Sequence, residues 1–245
     1  MNHALVAPGE VLWALQPDTY DAYHLALGPH LLKESNYLEF YHRAHNYGHF
    51  IMVDNGTAEG ESVNFNILLD FVIRERFDEI VLPDTLRDTA KTVEQFKTFV
   101  ESVPVRMRAI CPQGTNATEY MMCLRMMDAI GDFRTICVPK HLKEARVEIL
   151  HMLHNDGWDD EHNIHLLGLS ANPLIEIPRL RAAETTCKIR GLDTAAPLAW
   201  AQHARYFRDP DIARASVDWT SSAYNKEMFT SNMTRMRELC HGNVF

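Results

Sequence analysis

A repeated alternation of short apolar runs with longer amphipathic segments constrains this chain most. From residue 49, HFIMVD (49–54) reads as a buried strand and ESVNFNILLDFVIRERF (61–77) as a helix with one apolar face. The pair recurs as EIVLPD (79–84) with TAKTVEQFKTFVESV (89–103), and as VRMRAICPQG (105–114) with ATEYMMCLRMMDAIG (117–131). RTICVPK (134–140) with LKEARVEILHMLHNDG (142–157), NIHLLGLS (163–170) with PLIEIPRLRAAE (173–184), and KIRGLD (188–193) with PLAWAQHARYF (197–207) bring the clear units to six. Strand–helix units about 25–30 residues apart predict a parallel sheet covered by helices. VLWAL (11–15) with LLKESNYLEFYHRAHN (31–46), and ASVDW (215–219) with KEMFTSNMTRMRELC (226–240), supply two more. Eight units predict an α/β chain folded as a compact (β/α)8 TIM barrel, a fold of about 250 residues. The chain has 245. An open doubly wound sheet is the alternative, but the GxGxxG and GxxxxGKS/T loops that would favour it do not occur. No linker or low-complexity segment interrupts the rhythm, so residues 1–245 are expected to form a single domain.

Composition narrows the setting. No apolar run approaches a membrane span, and MNHALVAPGEVLWAL lacks the basic start and long apolar stretch of a secretory signal. Five scattered cysteines with no CxxC pair suit free thiols in a reducing cytoplasm. A net charge of −9 argues against indiscriminate coating of nucleic acid, yet allows a local basic rim.

In parallel barrels the active site lies at the C-terminal ends of the strands. Read in order, those ends give Asp54-Asn55-Gly56, Pro83-Asp84-Thr85, Pro112-Gln113-Gly114, Val138-Pro139-Lys140, Gly168-Leu169-Ser170 and Asp193-Thr194. Any one aspartate there reads equally well as a helix N-cap. Three at strand termini, with Gln113 and Lys140 among them, point to a site. Carboxylates and an amide can read donors and acceptors on the edge of a purine-like base. A further carboxylate can attack a sugar carbon and hold it covalently. Arg87, Lys91, Lys140, Lys143 and Arg190 are expected near this mouth as a positive rim.

These strand ends resemble, in order and spacing, the tRNA-guanine transglycosylase family, over about residues 49–200. FIMVDNG is similar to the family's strand ending Asp-Ser-Gly, and EIVLPDT to its next strand, which ends in a base-recognising aspartate. AICPQG resembles its Val-Gln-Gly strand, IHLLGLSANP its Leu-Met-Gly-Val-Gly-x-Pro turn, and GLDTAAP its Phe-Asp-Cys-Val-Leu-Pro segment. The resemblance implies a (β/α)8 barrel that replaces guanine in nucleic acid with a 7-deazaguanine base, with no cofactor. It implies Asp193 as nucleophile and Asp54 as the second catalytic carboxylate. Asn55, Asp84, Gln113, Gly114, Lys140 and Gly168 would bind substrate. The sequence departs from the family at Val138-Pro139-Lys140, where the family has Gly-Gly-Leu, and in lacking a zinc-binding CxCxxC insertion with its distant histidine. A shorter, zinc-free chain is similar to relatives in bacteriophages and bacterial DNA-modification clusters, which implies DNA over tRNA as the acceptor. A homo-oligomer or a partner subunit is left open.

Two other classes compete. A small-molecule barrel lyase or aldolase would use Lys140 as a Schiff-base amine. A non-catalytic barrel kept as a partner subunit is favoured by the two departures. Asp218, in ASVDW, is a rival nucleophile to Asp193. The histidines of HMLHNDGWDDEHNIH (His151, His154, His162, His165) straddle a helix end and a strand start, which is the barrel's structural face, so no metal is expected there. MMCLRMMDAI reads as a core or interface face, and Cys240-His241 as a tail. Because no cysteine pair has zinc spacing, elemental analysis of the purified protein should find no stoichiometric zinc; one tightly held zinc per chain would contradict this.

Overall fold

The computed structural model describes residues 1–15, 21–60, 63–169, 173–184, 186–206, 217–219, 221 and 223–241. Among the described residues are eight strands: β1 (Asn2–Leu5), β2 (Tyr23–Leu27), β3 (Phe50–Asp54), β4 (Glu79–Val81), β5 (Arg108–Ile110), β6 (Thr135–Pro139), β7 (Asn163–Leu167) and β8 (Ile189–Thr194). They lie in the order β1-β8-β7-β6-β5-β4-β3-β2, every ladder parallel. β1 and β2 come together at the seam, giving a nearly closed (β/α)8 barrel. Around it run α1 (Gly9–Trp13), α2 (Gly28–Lys33), α3 (Ser35–Asn46), α4 (Phe65–Glu75), α5 (Thr89–Phe99), α6 (Ala117–Asp128), α7 (Arg146–Asn155), α8 (Trp158–Glu161), α9 (Pro173–Glu184), α10 (Ala196–Gln202) and α11 (Lys226–His241). No helix among the described residues is long and apolar enough to cross a membrane.

The six central units fall where the periodicity puts them; the first and last do not. VLWAL is not a strand: residues 11–13 belong to α1, with Val11 and Leu12 buried and Trp13 exposed. A short apolar run has no period of its own, and here it packs as one helical face. The first strand is instead Asn2–Leu5, and a second, YHLAL, lies at 23–27 with all five residues buried. ASVDW supplies no strand among the described residues: Val217 to Trp219 are irregular, and Ala215 and Ser216 lie outside them. β8 is the last strand among the described residues, and Asp193 lies one residue from its end.

The barrel interior carries charge as well as apolar packing. Glu79, 1% exposed, receives two parallel hydrogen bonds from Arg190, Nη1 to Oε1 and Nη2 to Oε2, both 2.8 Å. Thr135 Oγ1 donates to Oε2 of the same carboxylate (2.8 Å). The Arg190 guanidinium lies 5.3 Å over the Tyr23 ring and 4.5 Å over Phe50, and those two rings stack on each other. Gly191 makes room for this, since a Cβ there would sit 2.6 Å from the Tyr23 ring.

One irregularity decides what faces inward. Along the β7–β8 ladder Ile164 pairs with Ile189 but His165 pairs with Gly191, so Arg190 is an extra residue on β8. In a regular strand residues three apart point to opposite faces. This bulge lets Arg190 and Asp193 both turn into the barrel. Because the partly buried Arg190 would be left unmatched, Glu79→Ala should lower the unfolding free energy by about 2–4 kcal/mol in urea denaturation. A loss below about 1 kcal/mol would mean that the pair is not a structural element of the barrel.

Candidate active site at the C-terminal mouth of the barrel

A cavity of about 780 Å³ opens at the C-terminal ends of the strands. Asp54, Asn55, Asp84, Gln113, Lys140, Gly168 and Asp193 all line it. A smaller groove of about 630 Å³ along the outer face of α11 lies away from these residues.

Asp84 is fixed from behind. Asn55 Nδ2 donates to its Oδ1 (2.9 Å), and Gln113 Nε2 to its Oδ2 (2.5 Å). Both amides are themselves anchored. Asn55 Nδ2 also reaches the Leu82 carbonyl, and Asn55 Oδ1 accepts from Thr57 N; Gln113 Oε1 accepts from Arg87 N (3.1 Å). The Gln113 amide is thus turned toward Asp84 and the backbone, which leaves the carboxylate as the hydrogen-bonding face. Burial raises the Asp84 pKa above the ordinary carboxylate range, against the opposing pull of these amide hydrogen bonds. Asp54, on the neighbouring strand, accepts from Gly56 N (3.1 Å) in the turn that follows.

Among the described residues, Asp193 is held on one oxygen. Its Oδ1 accepts from Gly168 N (3.0 Å) and from His165 Nε2 (3.1 Å). His165 Nδ1 is 2.6 Å from the Tyr23 hydroxyl. Burial pushes the Tyr23 hydroxyl far above the usual phenol range, so it donates, and Nδ1 accepts. That leaves the hydrogen on Nε2, directed at the carboxylate. Burial also holds His165 below the usual imidazole range, so the ring is a neutral relay. Gly168 adopts φ +62°, a conformation L side chains rarely take, and its backbone N–H is thereby aimed at Asp193. Arg146, fully buried, fixes the same turn: Nη1 donates to the Gly168 carbonyl and to Glu176, and Nη2 to the carbonyls of Val138 and Leu167.

The other expected residues divide. Lys140 is exposed, and its stem packs over Gly168. Gly114 stands behind the wall; its carbonyl accepts from His141 Nε2 (2.9 Å), and a Cβ there would press on the Tyr120 backbone at 2.7 Å. Asp218 is exposed and does not line the cavity, although Val217 and Trp219 do. The expected rim loses two members. Arg190 is turned to Glu79 inside the barrel, because it enters at the second residue of β8. Lys91 sits in the first turn of α5 beside Asp88 (3.7 Å). Two participants were missed in the sequence: Tyr23, because its strand was not recognised, and His165, one of four clustered histidines. The pattern inside NIHLL, a polar residue framed by buried Ile164 and Leu166 and two residues from the strand end, was the available signal for His165.

Asp84 gives a pH signature. A carboxylate whose folded pKa lies above its unfolded value stabilises the fold while protonated and loses that contribution as pH rises through the folded pKa. Relative to Asp84→Asn, the native chain should therefore lose stability as pH rises above the unfolded carboxyl value of about 4, read by denaturation midpoints along a pH series. A difference that is flat with pH would refute the assignment.

No protein-family model matches the sequence, and no curated protein matches it. Among solved structures, an N-succinyl Arg/Lys racemase from Bacillus cereus is similar at TM-score 0.55 and 12% identity, covering 80% of this chain and 52% of the racemase. An N-acetylneuraminate lyase from Mycoplasma synoviae is similar at TM-score 0.51 and 12% identity, covering 79% and 68%. An N-(5'-phosphoribosyl)anthranilate isomerase from Pyrococcus furiosus covers 97% and 99% at 10% identity, with TM-score 0.48. For the racemase and the lyase the likeness is one of fold, and it agrees with the eight parallel strands.

Proposed function

We propose that this chain is an enzyme whose centre is the carboxylate-lined barrel mouth. One observation carries the reading: Asp84 and Asp193 face one cavity, each immobilised from behind by hydrogen bonds from protein groups. Immobilised carboxylates in a partly dry cavity suit proton transfer and covalent catalysis.

One finer reading, which rests on the family resemblance and is compatible with this geometry, is base-exchanging glycosyl transfer on a guanine nucleotide. A free Asp193 oxygen would attack the sugar carbon, the carbon–nitrogen bond would break, and its electron pair would leave with the base. The incoming 7-deazaguanine nitrogen would then displace the carboxylate and shed its proton. Asp84, retaining a lone pair on each oxygen, suits two adjacent N–H donors on a base edge. Its raised pKa suits a group that passes protons, with Asp54 beside it. DNA is favoured over tRNA only through the family resemblance.

A second reading is supported by the comparisons and by Lys140. The two similar barrels with TM-scores above 0.5 are described as a racemase and a lyase, neither a transglycosylase. Lys140 crosses Gly168, whose N–H holds Asp193, so an amine and a carboxylate share one wall. A small-molecule lyase would use that pair, and borohydride trapping of a carbonyl substrate on Lys140 would mark it.

Incubation with labelled guanine and DNA or tRNA separates the readings, because only base exchange places label in the polymer. Denaturing gels should show a covalent adduct that disappears in Asp193→Asn; its survival there would remove Asp193 as nucleophile. Asp84→Ala should weaken base binding by about 1–3 kcal/mol. Asp88→Ala, which removes the N-cap of α5, should reduce stability by about 1 kcal/mol and leave base binding unchanged.

A further inference from the structure

Two cavity-lining cations have no counter-charge. Arg87, in the turn after β4, and Lys140, in the turn after β6, make no side-chain hydrogen bond or ion pair among the described residues. His141 stands beside them on the cavity wall. We propose that Arg87, Lys140 and His141 form an anion subsite that receives the phosphoryl group of the substrate, as a mono- or diester, while the rest of that substrate reaches Asp54, Asp84 and Asp193.

Two of the three residues are tied to the strand between them. Gln113 Oε1 accepts from the Arg87 backbone N–H (3.1 Å), and the Gly114 carbonyl accepts from His141 Nε2 (2.9 Å). Consecutive residues of the β5 turn thus tie the β4 and β6 turns together. Arg87 also has φ +62°, a strained conformation for a side-chain-bearing residue. Such strain collects at binding sites, where the surroundings must enforce it. With Nε2–H directed at Gly114, neutral His141 keeps only a lone pair on Nδ1; protonation would turn that atom into a donor for an anion. Burial, and then the nearby Arg87 and Arg146 charges, hold His141 below the usual imidazole range. The other charged groups around it are Lys140 and Lys143 on its own turn, Lys143 beside Glu144 (3.6 Å), and Glu119 of α6, whose carboxylate is bonded to Thr115. Arg146 is already matched by Glu176. Asp54, Asp84 and Asp193 line other parts of the same cavity, and the charges left unmatched on this wall, Arg87 and Lys140, are positive. A guanidinium fork, an ammonium and an imidazolium suit several oxygens bearing one or two negative charges, which is a phosphoryl group. In barrels of this fold the common phosphate site uses the turns after strands 7 and 8, whereas these cations come from the turns after β4 and β6.

The inference stands apart from which reaction the carboxylates perform, since binding and base exchange are read separately. His141 is followed by NMR in the intact chain, its signal assigned through loss in His141→Gln. Inorganic phosphate should raise its pKa by about 1 unit in the native chain. That rise should vanish in Arg87→Gly and in Arg87→Asn, residues that accept positive φ and keep the backbone bond to Gln113, and both variants should retain the native melting temperature. Ribose 5-phosphate and a short single-stranded oligonucleotide then tell whether the phosphoryl group belongs to a small metabolite or to a polymer backbone. A His141 pKa unmoved by all three probes, or raised equally in the Arg87 variants, would overturn the proposal.

Discussion

A carboxylate enclosed in a barrel interior has to be matched by protein groups, and Arg190 meets Glu79 there with two parallel hydrogen bonds. Much of the interior follows from that contact. Arg190 must extend over the Tyr23 and Phe50 rings to reach its partner. The Tyr23 hydroxyl then meets His165, and His165 meets Asp193. A continuous polar column thus joins the floor of the barrel to its mouth. The carboxylate proposed as nucleophile is the upper end of a chain of contacts whose lower end is part of the barrel's own packing.

This coupling has an energetic side. Glu79, Tyr23, His165 and Asp193 are buried and Arg190 is partly buried, so an unmet hydrogen bond in the column would be expensive. The same enclosure that demands pairing also strengthens the field each group feels. Asp193 is immobile without any loop having to close, whereas the cationic wall at Arg87 and Lys140 is exposed. The mouth therefore combines a fixed acidic floor with a solvated basic edge.

The strand–helix rhythm made the barrel legible, and the residues at strand ends named most of the cavity lining, because those turns are the part of the fold where side-chain chemistry and sequence order coincide. What was not legible were features that depend on partners far apart in the chain. Nothing in VLWAL separates a buried strand from one helical face, and nothing near YHLAL signals that its tyrosine meets a histidine 142 residues later. Gln113 was recognisable as a strand-end amide, but only the fold shows that its two ends are committed to Asp84 and Arg87. Arg190 looked like a rim cation because its distance from the end of the strand is easily read, whereas the bulge beneath it is not.

That bulge makes the position of Asp193 a question of parity. With one residue in excess, β8 presents Gly191 and Asp193 on the same side as Arg190. Removal of a single residue below Gly191 would restore an even ladder and force a choice: either the guanidinium leaves Glu79, or the carboxylate turns outward toward the helices. Length changes in this strand are therefore not graded. An odd one exchanges the inner and outer faces of everything beyond it, so the count of residues between Cys187 and Asp193 is as much a part of the site as the aspartate itself.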